Sequence, residues 1–425
     1  MMVFALAVFL VVLVAFAVGF VHRTPAALAG AIVLVMAGAI GQEEAIEAVN
    51  WETLGLLIGM MILVGILKDS GLFGYLAVKS AQAAKGHPGL ALIYLAAVTA
   101  VLSAFLDNVT TVLLMFPITL VIARLMEEDP VPFLLVEVIA SNIGGTSTLV
   151  GDPPNIIIGT AVDELTFMDF IVNLAPPIFV ILLVTLGIVW VVHARKLRTT
   201  EEDRKGVMGL DASAEIRDPA LLVRSGAVVG ATVVGFFLQQ VTGLNPAIVA
   251  LAGAAVAMLV CAPQVEDVLH EVEWPTILFF VGLFVMVGAL ESTGFIDMVA
   301  RSLAAGSESL GATALIVMWG SAFASGIVDN IPFTATMVPV IEELAHARGY
   351  DTGTAEPLWW SLALGACLGG NFTMIGASAN LVIAGLAERE GMTSLTFWRF
   401  LLWGFPLTLV ALAISSAYIL LFQIP

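Results

Sequence analysis

Two stretches of this chain lying 223 positions apart carry the same pattern. When "WETLGLLIGMMILVGILKDSGLFGYLA" from Trp51 is set above "WPTILFFVGLFVMVGALESTGFIDMVA" from Trp274, Trp51 meets Trp274, Gly59 meets Gly282, Gly65 meets Gly288 and Gly71 meets Gly294. At nearly the same spacing "DNVTTVLLMFPIT" from Asp107 meets "DNIPFTATMVPVI" from Asp329, with Pro117 and Pro339 in register. "GGTSTLVGDPPN" from Gly144 then meets "GGNFTMIGASAN" from Gly369, and "LTF" at Leu165 recurs at Leu395. Four matches in one order make chance a poor explanation. The sequence predicts two copies of one plan, residues 1–195 and 219–425, joined by the hydrophilic stretch 196–218.

The medium is set by composition. Hydrophobic residues make up 60% of the chain and charged residues 12%, about half the charge of a typical soluble domain. Between breakers the chain falls into apolar runs of roughly 17 to 24 residues, the length one helix needs to cross about 30 Å of hydrocarbon. An all-α, multi-pass membrane protein is therefore expected, with the first twenty residues as a span and not a signal peptide, because no basic segment precedes them. Cys261 and Cys367 lie in apolar runs and suggest no disulfide. No phosphate-binding loop of the G-x-x-x-x-G-K-[ST] type occurs, so an ion gradient, not ATP, is the expected energy source. No feature points to nucleic acid.

The number of crossings per copy decides their relative orientation. If the paired runs 90–106 with 109–126, and 311–327 with 331–345, are re-entrant hairpins, each half crosses five times; as full spans they would give seven. Both counts are odd, which turns the second copy upside down, the inverted-repeat plan of many secondary transporters. With both termini outside, fourteen of the sixteen Lys and Arg fall on the inner side and only Arg301 and Arg348 on the outer. Cytoplasmic loops carry such an excess, so the linker 196–218 is expected in the cytoplasm and the protein in the cell (inner) membrane.

Polar residues interrupt these runs at four places. Asp107-Asn108 and Asp329-Asn330 sit inside apolar segments, where a charge costs about 2.5 to 3.5 kcal/mol and is retained where it faces a cavity. The bland alternative is a helix cap at the surface; symmetric recurrence favours functional hairpin tips. "SNIGGTSTLVGDPPN" (141–155) breaks a helix outright: its glycines free the backbone, and Pro153 and Pro154 start a new segment. Unwound backbone is tolerated at membrane depth only inside protein or beside a cavity. A discontinuous helix offers N–H groups to an anion and carbonyls to a cation, while Asn142, Thr146, Ser147, Thr148 and Asn155 add neutral ligands. Gly369, Gly370, Asn371, Thr373, Ser378 and Asn380 repeat the device in the second half. Two breaks and two tips are expected to converge near the midplane.

These two motifs, the Asp-Asn-x-Thr-Thr hairpin and "NIGGTSTLVGDPPN", resemble the ion transporter superfamily over essentially the whole chain. The resemblance is to the branch of arsenite permeases, NhaD sodium/proton antiporters and the P-protein, with citrate-transporter-like symporters as more distant relatives. It implies an elevator mechanism, a transport domain of hairpins and broken helices sliding against a scaffold, and a homodimer formed through scaffold helices. The family's ion- and substrate-binding positions map onto Asp107, Asn108, Thr110, Thr111, Asn142, Gly144, Thr146, Thr148, Asp152 and Asn155. In the second half they map onto Asp329, Asn330, Thr334, Asn371, Thr373, Ser378 and Asn380. Carboxylate symporters of the superfamily carry Ser-Asn-Thr at both tips; here only Ser141-Asn142 is similar, which argues against a di- or tricarboxylate.

Asp107, Asp152 and Asp329 are the acids central to the motifs, with no Lys, Arg or His inside them. Oxygen-rich sites without fixed positive charge suit Na⁺, H⁺ or a neutral species, so bound Na⁺ near Asp107, Asn142, Asp329 and Asn371 is the one cofactor expected. Asp152 has a structural alternative, the capping of the helix after Pro-Pro, because Ala377 occupies its matching position. Glu137 could face the transport path or be a paired acid. Trp51, Trp274, Trp359, Trp360, Trp398 and Trp403 lie near span ends, as interface anchors do, and 71–86 reads as an amphipathic surface helix. The expected function is secondary active transport by Na⁺- or H⁺-coupled exchange, with an arsenite, oxyanion or small-carboxylate permease or a channel of the same fold as alternatives. An intramembrane aspartyl protease is disfavoured, since Leu149 stands where its Gly-x-Gly-Asp signature needs glycine; no enzymatic activity is expected.

Overall fold

A computed structural model describes residues 1–17, 20–306 and 309–424. Residues 18 and 19, within the first apolar run, lie outside the described residues. Among those described, every regular element is helical. The first half holds α1 (Met2–Ala17), α2 (Arg23–Met36), α3 (Gln42–Glu47), α4 (Trp51–Lys68) and α5 (Leu72–Ala83). It continues with α6 (Pro88–Ser103), α7 (Asn108–Leu125), α8 (Pro130–Gly145), α9 (Pro153–Ala161) and α10 (Phe167–Val192). After a short α11 (Glu201–Met208) come α12 (Pro219–Phe237), α13 (Gln239–Thr242), α14 (Pro246–Cys261), α15 (Val265–Glu271), α16 (Trp274–Ser292) and α17 (Phe295–Gly306). The chain ends with α18 (Leu310–Val328), α19 (Asn330–Arg348), α20 (Thr352–Gly369), α21 (Ser378–Arg389) and α22 (Phe397–Tyr418). Among the described residues, seven helical stretches, those of α4, α7, α10, α12, α16, α18 and α22, are long and apolar enough to cross a membrane.

Proline and its capping partners set many of the starts. α8, α12 and α14 each begin on a proline, whose missing N–H is no loss in a first turn, behind Asp129, Asp218 and Asn245 whose side chains accept backbone N–H bonds. The runs 132–160 and 357–387 each divide into two helices, as the glycine-rich breaks predict.

Packing is crosswise. α4 lies on α14 and α2 on α16, and the approach is close enough to require glycine at both crossings. A Cβ on Gly59 would stand 2.7 Å from the Ala250 carbonyl carbon, and one on Gly282 would stand 2.7 Å from that of Ala27. Small residues permit such backbone contact between membrane helices. The hairpin arms α6 and α18 pack on α8 and α20, while α7 packs on α21 and α19 on α9. α8 is buried from Val131 to Gly145, whereas α12 buries only Ser225, Thr232 and Phe236. α8 is thus enclosed by protein along its length, while α12 turns most of its apolar side chains outward.

One expectation needs correction. Trp359 and Trp360 are buried in α20 instead of anchoring at an interface, because α20 is enclosed by α18, α8 and α9 and Trp360 stacks edge-on against Phe170. The linker stretch 196–218 is fastened to the first half: Gln82 donates to the Leu210 carbonyl at 2.7 Å, and the Arg217 N–H donates to that of Ser70 at 3.0 Å. It is laid along α5, which occupies the expected surface-helix position.

Candidate functional site

The two breaks are built alike. α8 ends at Gly145, α9 starts at Pro153, and the side chain of Asn155 fastens the unwound turn by donating to the carbonyls of Thr146 at 3.0 Å and Thr148 at 2.8 Å. In the second half Asn380 donates to those of Gly370 at 2.8 Å and Thr373 at 2.9 Å. Thr148 donates to the Ala104 carbonyl and Thr373 to that of Gly326, each tying a break to its own hairpin. Thr146 and Ser147 donate to the carbonyls of Asn142 and Gly144. A Cβ on Gly144 would fall 2.0 Å from the Ala100 oxygen, and one on Gly369 would fall 2.5 Å from Ala322 Cα. The side-chain donors of the motif thus satisfy carbonyls that the few backbone turns of the break, such as Ser147 N–H to the Gly144 carbonyl at 3.0 Å, leave over.

The hairpin aspartates cap helices. Asp107 Oδ2 accepts from the N–H of Thr110 at 2.9 Å and from its hydroxyl at 3.1 Å, and the Asp107 carbonyl accepts from Thr111 at 2.9 Å. Asp329 Oδ1 accepts from the Ile331 N–H at 3.1 Å and its Oδ2 from the Ser378 hydroxyl at 3.1 Å. Asp329 sits at φ 96°, a region few non-glycine residues adopt. Thr334 donates back to the Asn330 carbonyl.

Asp152 takes the position at the centre. It precedes α9 yet makes no capping bond, so the capping alternative is not what its carboxylate does. Fully buried, it accepts from Asn108 Nδ2 at 3.2 Å and from Asn330 Nδ2 at 3.3 Å. One amide from each hairpin tip therefore meets the single carboxylate of the first break. Asn108 also donates to Asn142 Oδ1 at 3.0 Å, and Asn142 in turn donates to Asn371 at 2.9 Å and Asn380 at 3.0 Å. Of the four positions expected around Na⁺, Asn142 and Asn371 touch, whereas Asp107 and Asp329 are engaged at helix starts. All six members of this chain are 3% exposed or less. A buried carboxylate costs several kcal/mol unless it is paired, and here neutral amides are its hydrogen-bond partners.

Two side chains, Cys367 and Arg23, join the site that sequence reasoning did not place there. Cys367, matching Asn142 in the repeat, donates to Asn155 Oδ1 at 3.5 Å. Away from these contacts, Glu137 is buried between α7 and α8 and accepts the Thr119 hydroxyl at 2.7 Å. Arg23 donates to the Ser378 hydroxyl and to Thr276 Oγ1 at 2.9 Å, with its guanidinium 5.3 Å above Phe279. The fold thus brings a fixed positive charge to the second tip although the motifs contain none. Its only sequence signal is a lone arginine ahead of an apolar run. Arg23, His22, Asp329 and Ser378 line a cavity of about 690 Å³.

The family whose description is citrate transporter matches residues 8–365. An uncharacterized transporter of Mycobacterium bovis is 42% identical over 99% of this chain and 98% of its own length. The human P protein is 35% identical over 94% of this chain and 57% of its own length. Among solved structures, the YdaH transporter of Alcanivorax borkumensis, described as having an unusual topology, superposes with a TM-score of 0.57 at 15% identity, covering 88% of this chain and 86% of that one. A multi-pass, all-helical chain with these relatives is a transporter, and it belongs to the citrate transporter family.

Proposed function

We propose that the protein is a secondary active ion exchanger in which Asp152 binds the transported cation, Na⁺ or H⁺. The observation that carries this reading is the buried carboxylate held between the amides of Asn108 and Asn330. Amide oxygens and a carboxylate are hard ligands suited to Na⁺, and a carboxylate alone can carry H⁺. Convergence of both tips and both breaks on one point supports alternating access by an elevator movement of α6–α9 and α18–α21 against a frame of α2, α4, α14 and α16. Inverted repeats, both termini outside, a cytoplasmic linker and a homodimer formed through the frame belong to the same proposal. The bias of Lys and Arg supports the sidedness.

A small carboxylate or oxyanion is the second reading. It is favoured by the family's description as citrate transporters and by Arg23 beside the second tip. Proteoliposomes of purified protein separate the two. Internal pH is recorded while Na⁺, Li⁺, arsenite or citrate is added outside. Proton movement driven by Na⁺ or Li⁺ alone supports cation exchange, and movement only with arsenite or citrate rejects it in favour of the anion.

A further inference from the structure

The two hairpin aspartates cap their helices in the same way but differ in their electrical surroundings. Asp329 Oδ2 accepts the Ser378 hydroxyl proton at 3.1 Å, and the lone pair of that oxygen accepts from the Arg23 guanidinium. The cation is one hydroxyl away from the carboxylate. Neither member of this relay exists at the first tip, because Pro246 stands 223 positions after Arg23 and Pro153 stands where the second break has Ser378.

Arg23 is held from the other side. Its second nitrogen donates to Thr276 Oγ1 at 2.9 Å, its face lies over Phe279, and Thr24 donates to the Pro275 carbonyl at 2.7 Å. These partners belong to α16, which packs on α2. Thr276 passes its own proton to Glu273 at 2.9 Å. The arginine is therefore anchored to the α2–α16 pair and reaches across to the second hairpin and break. The contact faces a cavity of about 690 Å³, room enough for a hydrated ion to approach.

We infer that Arg23 is a tethered counter-cation for Asp329, occupying the second tip until a monovalent cation displaces it. The inference rests on the cation-exchange reading and adds a second ion position to it, at Asp329 and Ser378. Asp329 is neutralised either by Arg23 or by an arriving ion, so any movement of the hairpin away from α2 without an ion would leave a buried carboxylate unpaired, at a cost of several kcal/mol. Arg23 acts as a positioning residue that links hairpin movement to ion occupancy and suppresses empty movement.

Thermal unfolding of the purified full-length protein tests this. Wild type, Arg23→Gln, Arg23→Lys and Arg23→Gln/Asp329→Asn are compared in choline chloride while NaCl or LiCl is titrated in at constant ionic strength. Arg23→Met, which keeps the stem over Phe279, replaces Arg23→Gln if the latter does not fold. The expected result is that Arg23→Gln unfolds at a lower temperature in choline and is restored by Na⁺ or Li⁺. Its half-effect concentration should lie at least about tenfold below that of wild type, as removal of a neighbouring like charge requires. Arg23→Lys behaves as wild type, and the double variant loses the heightened ion response. An ion response equal in wild type and Arg23→Gln, or retained in the double variant, would overturn the inference. Ion-coupled flux of the unmodified protein is scored separately: no flux, with an ion response confined to Arg23→Gln, would reject the exchange reading while the pairing of Arg23 with Asp329 stands.

Discussion

The break after α8 and the break after α20 share a skeleton and differ in charge. Asn155 and Asn380 each clamp two carbonyls of their own turn, Thr148 and Thr373 each tie the turn to a hairpin, and Gly144 and Gly369 each lie against a neighbouring backbone. Yet the first break carries Asp152 and Asn142 where the second has Ala377 and Cys367. The groups that satisfy backbone recur in both halves, because any unwound helix in a membrane must find partners for its N–H and C=O groups. Asp107 and Asp329 recur as caps, but Asp152 and Arg23 have no counterpart in the other half. Two similarly built breaks thus meet at one asymmetric centre, with Asp152 accepting from Asn108 and Asn330 and Arg23 beside Ser378 and Asp329.

The comparison can be broken most severely at the shared skeleton. Gly144→Ala and Gly369→Ala should each abolish recovery of folded protein, since the added carbon would overlap backbone at 2.0 and 2.5 Å; size-exclusion profiles in detergent check this, and a monodisperse Gly369→Ala protein would show that the second break tolerates what the first does not. Next comes the charge. Asp152→Asn should bring ion-coupled flux to background while the protein unfolds no more easily, whereas Ala377→Ser should transport as wild type. Smaller is the contribution of each amide on Asp152. Asn108→Ala and Asn330→Ala should weaken ion binding equally, by about tenfold, the ~1–3 kcal/mol of one unsatisfied buried group, and unequal losses would mean the tips are not equivalent ligands. Asn155→Ala and Asn380→Ala should cost stability alike, again about 1–3 kcal/mol, measured by denaturant unfolding in detergent. Least affected should be Arg124→Ala, which removes an exposed 3.0 Å ion pair with Glu390 worth at most ~1 kcal/mol.

Much of this was legible in the sequence, for a physical reason. Helix breaks at membrane depth need glycine, proline and side-chain partners in one place, so Gly144 to Asn155 and Gly369 to Asn380 announce themselves by composition alone. The convergence of Asn108, Asn142, Asp152, Asn330, Asn371 and Asn380 followed from pairing the motifs. What was not legible was the division of labour among the acids. Asp107, Asp152 and Asp329 each precede a helix start, and local sequence cannot tell a carboxylate that turns back to cap from one that turns away. Asp152 turns away because Pro153 and Pro154 supply no N–H at the first two helical positions, and because the tips deliver amides from far along the chain. Arg23 was invisible for the complementary reason: its partners Ser378 and Thr276 lie more than two hundred positions away, and nothing local marks it. The burial of Trp359 and Trp360 depended likewise on which helices enclose α20.

The most direct test of the central claim is binding of radioactive Na⁺ to purified protein, with wild type, Asp152→Asn and Asp107→Asn measured side by side at a pH where wild type exchanges ions. Asparagine retains the capping acceptor at Asp107, so Asp107→Asn should still bind Na⁺. Asp152→Asn, folded to the same extent, should bind none. Wild-type binding by Asp152→Asn would contradict the account, because the carboxylate between Asn108 and Asn330 would then not be the ion's ligand.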